Sequence, residues 1–214
     1  MTDTPRQRKP ELQAILTRLE TAASTNNLAE TVQLCENALS LAPQTEDPVL
    51  WAELHAMLGR TFAQFFKSSG LSSLEKAIYH CNCSLQVYDK EAYPEEWAIN
   101  HFTLGIVHRN RGRKKVCPED TEQAIRHYQQ ALEIYGKEGH RLQWAQIQNN
   151  LANVYLDRIE GIKKDNIEEG IRCANRALEV FDPKKAPFEW ARCKSVLGKL
   201  HNLRIVGDRS ALNV

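Results

Sequence analysis

The chain of 214 residues has few residues that break or bend a backbone: ten glycines and eight prolines. Such sparse punctuation argues against short strands joined by tight turns and favours long helices with few connections. Long apolar runs are missing too. Val49–Ala52 is a typical stretch, far below the roughly 18 residues that cross a bilayer. Met1–Gln13, MTDTPRQRKPELQ, lacks the apolar centre of a secretory signal. Neither sign of charge is in excess, with 28 Lys and Arg against 27 Asp and Glu and a net charge of +1. That balance disfavours wholesale binding to nucleic acid or to a membrane surface. The six cysteines form no CxxC pair and no framework spacing, so free thiols in a reducing cytoplasm are expected. A phosphate-cradling glycine loop, GxSxG and HExxH are all lacking, so no enzyme and no cofactor are expected. What remains, 42% hydrophobic and 26% charged, is the balance of a globular protein.

The four tryptophans carry the most information. Trp51, Trp97, Trp144 and Trp190 are spaced 46, 47 and 46 apart, and Ala follows each. Seven residues after each Trp comes Leu (58, 104, 151, 197), then a small residue (Gly59, Gly105, Ala152, Gly198). Three further on comes a ring (Phe62, His108, Tyr155, His201). A second block alternates with the first: TVQLCENAL at 31–39, AIYHCNCSL at 77–85, AIRHYQQAL at 124–132 and GIRCANRAL at 170–178. Its closing leucines keep the same spacing, so the repeat is real.

Both blocks have helical periodicity. Trp97, His101, Leu104, Gly105 and His108 fall at i, i+4, i+7, i+8 and i+11, and Ala124, Tyr128, Ala131 and Leu132 at i, i+4, i+7 and i+8. The small residue at 105 admits another helix closely. Each unit is a helix pair that buries its apolar face only against its neighbours. Nine helices are predicted, near 10–24, 28–42, 48–66, 73–88, 95–110, 120–135, 141–158, 166–181 and 187–204.

These residues resemble the tetratricopeptide repeat (TPR) family. Its Leu-Gly…Tyr and Ala…Tyr/Phe…Ala-Leu…Pro patterns match Leu104-Gly105…His108 and Ala124…Tyr128…Ala131-Leu132, and Thr31…Cys35…Ala38-Leu39…Pro43 fits as well. The period of 46–47 exceeds the usual TPR length of about 34. The Trp-Ala opening and QNNLANVYLDR at 148–158 are similar to a long variant of bacterial, especially cyanobacterial, arrays. QNNLA is also similar to kinesin light chain repeats. The resemblance implies an all-α fold, a right-handed superhelix (α-solenoid) of antiparallel helix pairs. It would form a single domain over 9–206, four pairs plus a C-terminal capping helix, between a flexible tail at 1–8 and a tail at 207–214.

The functional expectation is a non-enzymatic scaffold or adaptor that binds a peptide or protein partner in its concave groove. Opposite the Trp–Leu stripe, about 140–200° around the helix from Trp97, stand Ile99, Phe102 and Ile106, with Arg109 extending the row. Equivalent positions give Gln146, Asn149 and Asn153 in the next unit, and Arg192 and Lys199 in the last. The apolar trio would form a pocket. The amides would hydrogen-bond an extended backbone, and the cations would attract a carboxylate. This is similar to peptide-binding TPR modules, although the lysine pattern of the chaperone-tail clamp is not reproduced. The competing reading packs the trio against adjacent first helices.

Arg109, Arg111, Arg113, Lys114 and Lys115 form the one strong local charge run, placed in the longest inter-helix loop. A polyanion contact through Arg111, Arg113, Lys114 and Lys115 is the alternative function, a nucleic-acid-associated adaptor. Without interleaved aromatics, a solvated loop is favoured. A small-ligand sensor is the other alternative. His80, Cys81 and Cys83 point in three directions on a helix, so they are read as packing and not as a metal site. Trp190, Leu197, Leu200 and Leu203 form an apolar stripe on the last helix. It either caps the array in a monomer or mediates a homodimer. No membrane association is expected.

Overall fold

The computed structural model describes residues 10–212. The side chains of 67–69 and 206–212, the expected tail at 1–8 and residues 213–214 lie outside that description. Among the described residues there are nine helices and no strand: α1 (Pro10–Ser24), α2 (Leu28–Leu41), α3 (Pro48–Ser69), α4 (Leu71–Ser84), α5 (Pro94–Lys115), α6 (Pro118–Ile134), α7 (Arg141–Asp157), α8 (Lys163–Leu178) and α9 (Pro187–Leu212). No helix among them is long and apolar enough to cross a membrane. The contacts gather into two compact units, Met1–Pro94 and Glu95–Val214.

The helices begin where the local chemistry supplies the unpaired first-turn N–H groups. Asn27 accepts from Glu30 N and its own amide donates to the Glu30 carboxylate, a reciprocal cap on α2. Asp47 accepts from Leu50 N at the start of α3, with Pro48 in the first turn. Ends are equally specific. α1 closes with Asn26 in the left-handed region at φ 54, and Asn27 N donates to Ala22 O. α5 closes the same way, Cys117 N donating to Gly112 O, but the left-handed residue is Val116 at φ 50. Asn tolerates that conformation. A β-branched valine there is strained, at about 1–3 kcal/mol.

That closure corrects one expectation. The basic run 109–115 is not a loop: it forms the last two turns of α5. The residues 207–212, expected in a tail, continue α9.

In the first unit α1 packs on α2, α2 on α3 and α3 on α4; in the second, α6 packs on α7, α7 on α8, and α9 on both α8 and α7. The small positions of the repeat set the approach within pairs. A Cβ at Gly105 would lie 2.6 Å from Tyr128 Cε1, and one at Gly59 would lie 2.5 Å from Cys81 Sγ. Tyr128 and Cys81 are fully buried in those slots. The stripe on α9 is covered within its own unit, where Leu197 and Leu200 are buried in the core with Ile167, Ile171 and Ala174. A surface for a homodimer is therefore not made by these two leucines.

Candidate functional site

Three helices of the second unit, α5, α7 and α9, together with Phe181 just beyond α8, enclose a cavity of about 340 Å³. Its lining includes six of the nine residues assigned to the groove: Phe102, Ile106, Arg109, Gln146, Asn149 and Arg192. They meet because each lies on the face of its helix opposite the Trp–Leu stripe. Asn110, Asn150, Phe181 and Glu189 complete the lining. The other three assigned residues lie outside it. Ile99 packs against the core, and Lys199 is exposed on α9.

Asn153 supports the cavity without lining it. Its Nδ2 donates to Asn149 O at 2.8 Å, and its Oδ1 accepts from Arg109 Nη2 at 3.3 Å. The amide expected to hold a ligand backbone instead fixes the Arg109 guanidinium.

The polar groups here are incompletely used. Arg109 Nε and Asn149 Oδ1 are buried with no hydrogen-bond partner among the described residues, as is Tyr128 Oη behind them. Asn149 is only 6% exposed. Burial lowers the Arg109 pKa, offset in part by Tyr128 and Asp157, yet a guanidinium stays charged throughout the physiological range. An unpaired buried polar atom costs about 1–3 kcal/mol, more when charged. Arg192 lies over the Phe188 ring at 5.6 Å. The cavity therefore presents two guanidinium groups, one carboxylate (Glu189), four amides and the apolar surfaces of Phe102, Ile106 and Phe181. That set suits a ligand with an apolar part and an anionic part.

The charge run has other partners. Arg111 holds Asp120 through Nε at 3.0 and 2.9 Å and Nη2 at 2.6 Å. His108 Nδ1 meets the same carboxylate at 2.8 Å. Burial raises the Asp120 pKa, but the Arg111 and His108 hydrogen bonds outweigh it and hold the carboxyl below its usual value. Arg113 pairs with Asp157 at 3.2 Å. Of the residues assigned to a polyanion contact, Arg111 and Arg113 are thus engaged with carboxylates, and Lys114 and Lys115 are exposed.

Reading the sequence missed Phe181 and Glu189. For Phe181 the signal was present: Tyr88, Tyr135 and Phe181 are 47 and 46 apart. The two tyrosines reach back to the start of their own helix pair, Tyr88 Oη to Val49 O and Tyr135 Oη to Glu95 O, both at 3.3 Å. Phe181 has no hydroxyl, and it lines the cavity.

No group of three or more His, Cys, Asp or Glu side chains is arranged to hold a metal among the described residues. All six cysteines are free, five of them buried. Burial pushes the Cys35, Cys81 and Cys173 thiols up to about 12, so at neutral pH they are packing groups and not nucleophiles. The chain matches no family model, no curated protein and no solved structure.

Proposed function

We propose that the protein is a non-enzymatic, TPR-like interaction scaffold that binds an extended peptide segment of a partner protein through the α5/α7/α9 cavity. The observation that carries this reading is the cavity itself. Residues from one face of three successive first helices converge on a mixed apolar and cationic surface with buried polar atoms left unpaired. A peptide with an apolar side chain beside an acidic one would fill it, the apolar group against Phe102, Ile106 and Phe181, the carboxylate toward Arg109 and Arg192. The 46–47-residue repeat period supports a right-handed superhelix built from these pairs. The buried free thiols fit a reducing compartment such as the cytoplasm.

The test is selection of a displayed peptide library on the protein, followed by fluorescence anisotropy of the selected peptides. Binders pairing an apolar with an acidic residue are expected. Phe102→Ala and Arg192→Ala should each weaken them about tenfold, as truncation of an anchor does. Peptides that bind the double variant at full strength would end the proposal.

A further inference from the structure

The histidines follow the repeat in a way the binding cavity does not use. His55 and His101 stand four residues after Trp51 and Trp97, and their rings lie 4.2 and 4.3 Å from those indoles. From the second helix of each pair, His80 faces His55 and His127 faces His101. In both contacts Nδ1 meets Nδ1 at 2.9 Å. Two ring nitrogens at this separation hold one proton between them: one Nδ1–H donates and the other offers its lone pair. A second proton turns the contact into two donors that face each other and carry like charge.

The surroundings oppose that second proton. Around His80 the neighbouring groups are the Phe62 ring, stacked at 5.5 Å, the Tyr79 ring and the Lys76 cation. His127 is stacked on both His101 and His108, at 5.1 and 5.3 Å. The charges facing this trio are Arg126 and Glu133 from α6 and the Arg111–Asp120 pair beside His108. Glu133 and Asp120 favour a charged ring, as does the Gln130 hydrogen bond to His127. Burial, the largest influence on each, pushes all four paired histidines down to about 4.

We propose that the two Nδ1–Nδ1 contacts are proton-operated latches that tie first helix to second in α3/α4 and α5/α6 and release them in mild acid. The α7/α8 pair supplies the internal comparison. Gln148 and Cys173 occupy the positions equivalent to His101 and His127, and neither takes up a proton in this range. The sign is fixed by linkage. An opened pair exposes histidines that bind protons near 6.5, whereas the closed pair resists them until about 4. Closure is therefore fully favourable above 6.5 and weakens as pH falls from 6.5 toward 4.

Hydrogen exchange of the intact protein at pH 7 and pH 5, corrected for the intrinsic exchange rate, tests this directly. Protection in α3/α4 and α5/α6 should fall by at least about tenfold, with α7/α8 unchanged. Replacing the α3/α4 latch by the α7/α8 residues, His55→Gln with His80→Cys, should abolish the acid response of α3/α4 and leave that of α5/α6. An equal response in all three pairs would overturn the proposal, as would an undiminished response in the double variant. Should that variant not fold, imidazole titration of the wild-type protein by NMR decides. Paired histidines that titrate near 6.5 would overturn it, and values near 4 would uphold it.

Discussion

In α3/α4 the ring stack that starts at Trp51 and passes through His55 and His80 ends on Phe62, with the small buried Ser73 alongside. In α5/α6 the corresponding stack of Trp97, His101 and His127 ends on His108, which meets the Asp120 carboxylate that Arg111 also holds. Phe62 and His108 are one position of the repeat, as are Ser73 and Asp120. One pair therefore finishes its core with an apolar ring, the other with a buried ionic network. The difference teaches that the repeat specifies shape and spacing, while the polarity at a given slot is free to change if every partner changes with it. An apolar end tolerates a single substitution. A buried ionic end is stable only when complete, because removing one member leaves the rest desolvated and unpaired.

Substitutions can break this comparison. The largest effect is expected from Asp120→Ala, which strands Arg111 and His108 and should cost about 3–5 kcal/mol in denaturant unfolding. A cost below about 1 kcal/mol would mean that Arg111 simply turns to water, as at an exposed pair. His108→Phe gives α5/α6 the ring of α3/α4 but removes a hydrogen bond to a charged group. About 1.5–3 kcal/mol is expected, recovered in large part if Arg111→Phe and Asp120→Ser, the residues at the equivalent positions of α3/α4, are added together. Gly105→Ala presses a methyl into the fully buried Tyr128 ring and should cost about 1–3 kcal/mol. Gly59→Ala should cost less within that range, because the small Cys81 side chain can rotate where a tyrosine ring cannot. Ser73→Ala removes a hydrogen bond to Gly70 O at 2.8 Å and should cost about 1 kcal/mol.

Acid sharpens the same contrast. Paired histidines lower stability as pH falls from 6.5 toward 4. Asp120, whose pKa is held below 3.8, contributes stability that is present above that value and is lost only at lower pH. Wild-type unfolding should therefore show two acid phases, and Asp120→Asn should remove the lower one.

The tryptophan and leucine registers were enough to place all nine helices within a few residues at most ends, because hydrophobic periodicity and cap chemistry are local. The convergence of Phe102, Arg109, Asn149 and Arg192 was also legible, since the face opposite the Trp–Leu stripe recurs on each first helix. The end of α5 was not. A helix stop is ordinarily written with Gly or Asn, and here a strained valine does it, so the basic run looked like a loop. Neither was the role of Asn153, which depends on whether its amide reaches a ligand or the arginine 44 residues earlier. The histidine pairs were hidden for a related reason. Each ring alone resembles a core aromatic, and only the facing helix reveals that two nitrogens meet.

Gly198 occupies the position of Gly59 and Gly105, yet a methyl there would meet no described atom within 4 Å. Its neighbours do not require it. Gly198→Ala should then do the reverse of its counterparts, stabilising α9 by about 0.5–1 kcal/mol through helix propensity alone. Thermal melts of the three alanine variants would separate, position by position, what close packing demands of a glycine from what helix propensity alone sets.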